Sequence, residues 1–183
     1  MNPRRRSTRV DVRPYRPADA APTLAVFLSA VTITASADYS PQQIAAWARA
    51  EEREIPVWDQ SMSARNSFVA LVDGEIAGFS DVSSDGYIDM MFVSPQHSRQ
   101  GVAAALLDFI EVIARERACP SLSANVSVTA RPFFEKRGFQ VEAEQHPVLN
   151  GVQLNNFRMS KSLGDVPQRP RQQVGAKREE GAR

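Results

Sequence analysis

The stretch YIDMMFVSPQHSRQGVAAALL, residues 87–107, contains a strand, a polar loop and the start of a helix in one continuous run. Its first seven residues are mostly apolar and predict a strand that stops at Ser94 and Pro95. From Gly101 to about Ala118, apolar residues recur at helical spacing, with charged residues between them. The sequence therefore predicts a buried strand that turns directly into an amphipathic helix.

The start of this helix is suited to binding an anion. The first turn of a helix has unpaired N–H groups and carries the positive end of the helix dipole. Gly101 and Ala103 are small, so an anion can approach the backbone closely, and Arg99 can add a charge-assisted contact. A pyrophosphate fits this arrangement, and an ordinary strand-to-helix turn without a ligand is the alternative. Neither G-x-x-x-x-G-K-[ST] nor G-x-G-x-x-G occurs in the chain.

The residues on both sides of this stretch predict an α/β (α+β) domain. The order β-α-α-β-β-β-α-β-α-β-β favours a mixed, mostly antiparallel central sheet with helices on both faces. The predicted elements are a strand at 8–15, helices at 17–34 and from Ser40, a meander of strands at 67–72, 75–82 and 87–93, the helix from Gly101, a strand at 122–126, a short helix capped by Thr129 and ended by Gly138, and strands near 139–145 and 151–161 joined at Asn150 and Gly151.

Length and composition predict one folded domain between two tails. The chain has 183 residues and is 43% hydrophobic, which suits a single sizeable core. Residues 1–7 predict a disordered basic tail. Residues 164–183 are rich in proline, glutamine, glycine and charge, and predict a disordered C-terminal tail. The folded domain is expected at residues 8–163.

Charge and cysteine content argue against several classes of function. A formal net charge of +1 gives no electrostatic case for nucleic-acid binding. One cysteine and two histidines make an internal disulfide impossible and a metal site unexpected. No apolar run approaches the roughly 18 residues that would suggest a membrane span, so no membrane association is expected. A reducing cytoplasm is the expected location.

Two motifs resemble those of the GNAT superfamily of acyl-CoA-dependent N-acetyltransferases. Val93-Ser94-Pro95 followed by Ser98-Arg99-Gln100-Gly101-Val102-Ala103 is similar to the strand end and loop of motif A, in which Ser98 replaces the usual glutamine or arginine. Residues 125–139 look like motif B, a strand and short helix that end in Lys/Arg-x-Gly-Phe, and residues 155–161 resemble the last strand. The resemblance covers roughly residues 9–163 in element order.

The resemblance implies a GNAT fold, acetyl-CoA as co-substrate and direct attack of an amine on the thioester. Strands on either side of the cofactor are expected to splay apart and admit the pantetheine arm. The family often uses a tyrosine of motif B as general acid, whereas Phe133 and Phe134 stand here. The implied cofactor-binding residues are Phe92, Val93, Ser98, Arg99, Gln100, Gly101, Val102, Ala103, Asn125 and Phe134.

Asp89 is the candidate general base. In a continuous strand, Asp89 shares a face with Met91, opposite Met90 and Phe92. A carboxylate in a central strand is costly unless a partner or water satisfies it, and such groups often mark function. Asp89 also lies four residues before Val93, where family members carry an acidic base. The alternative is an aspartate paired with an arginine or a backbone N–H.

The acceptor is expected to meet the segment before the meander. Tyr39 and Trp47 are candidates for walling a pocket, and Tyr87 is a third candidate at the start of its strand. Packing in the core is the alternative for Trp47. The favoured function is acetylation of a small-molecule amine. The alternatives are a non-catalytic acyl-CoA-binding regulatory module of the same fold and a protein-modifying acetyltransferase. Family members commonly form homodimers, so a homodimer is a further expectation.

Overall fold

The computed structural model describes residues 9–164, so the two predicted tails lie outside the described residues, apart from Gly164. Fifteen helices and strands are labelled in chain order. They are β1 Val10–Pro14, α1 Ala20–Ser29, α2 Pro41–Ala48, α3 Ile55–Ala64, β2 Phe68–Val72, β3 Glu75–Ser80, β4 Tyr87–Ile88, β5 Met91–Val93, α4 Val102–Glu116, β6 Ser121–Ser127, α5 Arg131–Lys136, β7 Gln140–Gln145, β8 Val148–Leu149, β9 Val152–Gln153 and β10 Asn156–Ser162.

Two four-stranded half-sheets form the centre of the molecule. The first has the order β1-β2-β3-β5 and is antiparallel throughout. The second has the order β4-β6-β10-β7, in which only the β4–β6 pair is parallel. Helices lie on both sides of the strands, so the predicted mixed, mostly antiparallel α/β fold is confirmed.

The predicted strand 87–93 is two strands that belong to different half-sheets. Tyr87 and Ile88 pair with β6, whereas Met91 to Val93 pair with β3. Asp89 and Met90 join the two half-sheets and lie in neither strand. The predicted meander is therefore formed by β2, β3 and β5 alone.

Helix α3 was not predicted, and two further details differ from the sequence-based prediction. Residues 55–64 form the third helix before β2, with Pro56 in its first turn and Trp58 and Met62 buried on one side. A small hairpin of β8 and β9 surrounds the predicted turn at Asn150 and Gly151. Residue Ala130, not Thr129, is the N-cap of α5, because the Thr129 hydroxyl donates to Asp38.

Two hydrophobic clusters hold the helices against the strands. On one side, α4 packs on alternate residues of β2, among them Phe68 and Ala70. On the other side, α1 and α3 pack on Val69 and Phe79. Gly78 lets α4 approach β3, because a Cβ there would lie 2.9 Å from the Phe92 carbonyl oxygen and 2.9 Å from Val102.

One helical segment is long and apolar enough to cross a membrane, although the sequence analysis predicted no such segment. Residues Pro17–Ala37 form a helical run of 21 residues that contains an 18-residue window of mean hydropathy 1.6, enough by length and composition to cross a membrane. The apolar side chains of this run have a place in the core, since Val26, Phe27 and Val31 are buried in the cluster beneath β2 and β3. Core helices pass the same test, so the segment is weak evidence for a membrane span.

Candidate active site

The loop between β5 and α4 presents backbone N–H groups at an open surface. Arg99 has φ 62° and Gly101 has φ 87°, and alternation between right- and left-handed backbone conformations can direct N–H groups into an anion-binding concavity. The Ser98 and Gln100 N–H groups already donate to the Pro95 and His97 carbonyl oxygens, so the donors on offer are those at the start of α4. Gly101 is the N-cap of α4, and its N-terminus has no side-chain cap. A Cβ built on Gly101 would meet nothing within 4 Å. The 15-residue helix therefore begins with uncapped donors beside open space.

The side chains of this loop contribute unequally to that surface. Ser98, Arg99 and Gln100 are exposed, and the Gln100 amide donates to the Gln96 carbonyl oxygen over 3.2 Å. Val102 is only 1% exposed and packs in the core, so it offers its backbone N–H alone to the surface. Binding at this loop would depend mainly on the main chain.

The two half-sheets separate beyond the β4–β6 pair. Pairing of β4 with β6 ends at Ile88 and Ala124, and β5 then pairs with β3. Within the described residues 9–164, β5 and β6 share no register. This separation is the predicted splay. At its closed end, the Asn125 side-chain amide donates to the Tyr87 hydroxyl over 3.1 Å, which brings two predicted site residues together.

The chain bends between the half-sheets at Asp89 and Met90. Ile88, Met91 and Val93 pack in the cluster beneath α4, whereas Met90 and Phe92 pack in the cluster beneath α1 and α3. The strict alternation expected for a continuous strand is therefore wrong. Met91 lies opposite Met90 and Phe92, as predicted, but Ile88 lies on the same side as Met91, so the alternation is interrupted at the bend.

Asp89 lies at this bend with its side chain 44% exposed, and it forms an ion pair with Arg65 at the end of α3. The partner matches the alternative that the sequence left open for Asp89. An exposed ion pair of this kind exchanges with water and does not remove the carboxylate from solution. Asp89 therefore stays available as a proton acceptor, and its catalytic role remains a prediction.

A second carboxylate, Asp81, lies directly behind the bend and is only 3% exposed. Its Oδ1 accepts from the backbone N–H groups of Asp89 at 2.9 Å and Met90 at 3.2 Å. Burial raises the pKa of Asp81 to about 6, opposed by the Met90 N–H and the positive charge of Arg65. The predicted strand 75–82 included Asp81 without a role, although a polar Ser80-Asp81 pair inside an apolar run was a visible signal.

Three of the predicted site residues, Tyr39, Trp47 and Phe92, form a row of aromatic rings that ends in β5. The Tyr39 and Trp47 rings lie 5.5 Å apart, and the Trp47 and Phe92 rings lie 6.2 Å apart. Tyr39 is 6% exposed, and its hydroxyl donates to the Asn155 carbonyl oxygen at 2.5 Å and accepts from the Val128 N–H at 3.0 Å. Burial also raises the pKa of Tyr39. This hydroxyl ties the α1–α2 connection to the second half-sheet.

A cavity of about 240 Å³ opens on the side of Met90 that faces α3. Its walls combine Trp58 and Val57 with the charged groups of Arg53 and Arg65. The Arg53 guanidinium lies 4.2 Å over the Phe27 ring and donates through Nε to the Ala48 carbonyl oxygen at 2.7 Å. The cavity therefore has an apolar wall and a charged rim next to the strand break.

Comparison with known proteins identifies the family. Residues 35–161 match the acetyltransferase (GNAT) domain family. The chain is 39% identical over 150 residues to the uncharacterized N-acetyltransferase YafP of Escherichia coli K12, which covers 82% of this chain and 94% of that protein. The protein belongs to the GNAT superfamily.

Solved structures agree with this GNAT assignment. A GCN5-related N-acetyltransferase from Rhodopseudomonas palustris superposes with a TM-score of 0.79 at 32% identity, over 83% of this chain and 94% of that one. The acetyltransferase YncA from Salmonella typhimurium, solved with acetyl-CoA, superposes with a TM-score of 0.65 at 18% identity, over 86% and 96% of the two chains. The second likeness supports the fold alone.

The GNAT assignment makes Phe134 informative, since the family often has a tyrosine there. Phe134 is 4% exposed and packs edge-on against Phe139 at 4.9 Å between ring centroids. Gly138 has φ 88° and ends α5, as predicted, so that Phe139 can fold back and donate its N–H to the Phe134 carbonyl oxygen at 3.0 Å. Phe134 is thus a core residue in this structure, and its contact with cofactor remains a prediction.

Proposed function

We propose that this GNAT protein transfers an acetyl group from acetyl-CoA to the amine of a small-molecule acceptor, by direct attack on the thioester. The observation that carries the proposal is the position of the uncapped α4 N-terminus at the end of β5, where the two half-sheets separate. A pyrophosphate at the helix start and an extended arm between the strands would use both features together.

The residues present fit acetyl-CoA. Gly101 has open space where a side chain would otherwise meet a ligand, and the N–H groups of Val102 and Ala103 lie in the first turn of α4. Arg99 supplies an exposed positive charge beside them. Phe92 and Val93 of β5 would border the pantetheine arm on one side, and Asn125 of β6 on the other.

Bound acetyl-CoA supplies an activated acyl group, and the protein has to deliver a neutral amine to it. In the proposed mechanism, the Asp89 carboxylate takes a proton from the acceptor ammonium, and the free amine nitrogen then forms the new bond to the acyl carbon. As the carbon–sulfur bond breaks, the nitrogen loses its second proton to water and the leaving thiolate takes a proton from water, so the products are the amide and the free thiol of CoA. Asp89 then returns its proton to solvent. Positioning of both reactants at the strand break contributes much of the rate.

The proposed acceptor site is the cavity next to Met90. Its volume of about 240 Å³ lies just below the usual range for ligand pockets and limits the acceptor to a small molecule. The aromatic row that ends at Trp47 and Phe92 borders the same side of β5, and Tyr87 lies at the other end of the bend. The small volume and the apolar wall of the cavity support a small acceptor over a peptide. A cytoplasmic location and a homodimer stay part of the proposal, to be tested by fractionation and light scattering.

The test is to follow thiol release from acetyl-CoA with a panel of small amines, beside calorimetric titration with CoA. The proposal expects CoA binding and thiol release that depends on the amine. CoA binding without turnover on any amine would favour the regulatory module. Transfer to lysine or N-terminal amines of proteins, seen by mass spectrometry but absent with small amines, would favour a protein-modifying enzyme.

A further inference from the structure

The bend at Asp89 and Met90 is held by side-chain and backbone atoms of the end of β3. The Ser80 hydroxyl donates to the Met90 carbonyl oxygen at 2.7 Å, and the Asp81 N–H donates to the same oxygen at 3.2 Å. Asp81 Oδ1 takes the N–H groups of both Asp89 and Met90. Both N–H groups of the bend and the Met90 carbonyl oxygen are therefore satisfied from one short segment.

This arrangement leaves the Asp81 carboxylate in an energetically unfavourable environment. Its second oxygen, Oδ2, is buried and has no hydrogen-bond partner within the described part of the chain. Leaving a buried charged oxygen unsatisfied is destabilising, and an asparagine would satisfy the same two N–H groups without a charge. A carboxylate that serves only to hold the bend is thus an expensive choice for folding.

Arg65 connects this buried carboxylate with the proposed base. The Arg65 guanidinium pairs with Asp89 and lies 4.0 Å from Asp81 Oδ2. Arg65 therefore faces Asp81 from α3, and Asp89 faces it from the bend itself. On the other side, Arg117 at the end of α4 donates to the carbonyl oxygens of Val82 and Ser83, the next residues along the chain.

We propose that Asp81 is a positioning residue whose negative charge holds the strand break and the Arg65–Asp89 pair in the arrangement that turns over substrate. The proposal rests on the proposed function, because the break is where acyl donor and amine are expected to meet. In its ionised form Asp81 makes charge-assisted bonds to the Asp89 and Met90 N–H groups and attracts Arg65. In its neutral form it loses both effects, and Arg65 is left to Asp89 alone.

The raised pKa of Asp81, about 6, places this change within the range in which enzymes are assayed. A carboxyl whose folded pKa lies above its unfolded value binds a proton more readily when folded. It therefore makes the fold less stable as pH rises through about 6, whereas turnover should increase over the same interval. Opposite trends of stability and turnover are the signature expected of a buried charge kept for function.

The test compares wild type, Asp81→Asn and the control Asp73→Asn, which makes the same change at an exposed turn. With the best amine of the panel, wild-type kcat should rise through pH 6. Asp81→Asn should lack this rise and have kcat lowered about tenfold at pH 7.5, with the Kd for CoA within about twofold of wild type. Its Tm at pH 7.5 should rise by about 4 °C.

A second readout needs no turnover. In NMR titrations, the amide signals of Asp89 and Met90 should shift with a common midpoint near pH 6 in wild type and in Asp73→Asn, and should show no transition near pH 6 in Asp81→Asn. Amides that do not titrate near pH 6 in wild type would overturn the inference. So would a kcat profile that Asp81→Asn leaves unchanged, or a lower Tm with an unchanged profile, which indicates a purely structural aspartate. Titrating amides without thiol release would instead count against the proposed function alone.

Discussion

The α4 N-terminus and the strand break lie about ten residues apart in the chain, yet they are built from different parts of the polypeptide. The helix start presents main-chain N–H groups, which remain when most side chains change. The strand break depends on particular side chains, Asp81 from β3 and Arg65 from α3, which contact Asp89. Binding at the first region should tolerate most substitutions other than at Gly101, whereas the second region should be sensitive at each contributing residue.

The largest effect is expected from Asp89→Asn at the strand break. Loss of the base should lower kcat about 1000-fold, most at low pH where the amine is mostly protonated, and leave CoA affinity intact. The control is Asp108→Asn on α4, since Asp108 also forms an exposed ion pair with an arginine, Arg137. Steady-state kinetics across pH measure this effect. A pH–rate profile that is the same in Asp89→Asn and in wild type would show that Asp89 is not the base.

A smaller but still severe loss is expected from Gly101→Glu at the helix start. A carboxylate there opposes an anion, so CoA affinity should fall at least about 100-fold, or about 2.7 kcal/mol. Gly74→Glu is a matched control, because Gly74 also has φ 87° and open space within 4 Å. Both variants carry the same backbone strain, and calorimetry should find CoA binding lost in Gly101→Glu only. Equal affinities in two folded variants would contradict the assignment of the loop.

A moderate effect on stability is expected from Tyr39→Phe, which removes the hydroxyl that ties the α1–α2 connection to the second half-sheet. The change leaves the Val128 N–H without its acceptor and should lower the free energy of unfolding by about 1–2 kcal/mol. Tyr15→Phe removes a hydroxyl that donates to Asp59 and does not reach the second half-sheet, so it serves as the control. Urea denaturation measures both, and a Tyr39→Phe midpoint equal to wild type would show that water replaces the hydroxyl.

The smallest effect is expected from Tyr87→Phe. Its hydroxyl accepts from an exposed Asn125 amide, so stability should change by no more than about 0.5 kcal/mol. If Tyr87 only borders the acceptor, kcat should change less than about threefold. A fall of about 100-fold or more would instead identify Tyr87 as the proton donor to the thiolate, in the role that Phe134 cannot fill.

The sequence was sufficient where one local signal decides the structure. The turn at Asn150-Gly151, the N-cap at Ser40 and the helix start at Gly101 all follow from neighbouring residues, and the structure has each of them. Helix α3 was missed although Pro56 in its first turn and the i,i+4 pair of Trp58 and Met62 were legible. The helix was missed because residues 49–54, directly before it, are mostly charged and are typical of a loop.

The strand break could not be predicted from local pattern. Seven mostly apolar residues from Tyr87 to Val93 are typical of one strand, and only pairing with β6 on one side and β3 on the other divides them. Arg65 and Asp81 lie 24 and 8 residues before Asp89, and no sequence periodicity relates the three. The contacts that surround the proposed base are therefore a property of the assembled fold.

The hydrogen bonds of the Tyr39 hydroxyl constrain the order in which parts of the chain can fold. Its two partners, Val128 and Asn155, lie 89 and 116 residues further along the sequence. During synthesis, chains grow from the N-terminus at about 5–20 residues per second, so the α1–α2 connection emerges several seconds before Asn155 exists. The connection can take its final position only when the last strand arrives, which makes assembly of this side of the molecule a late event in folding.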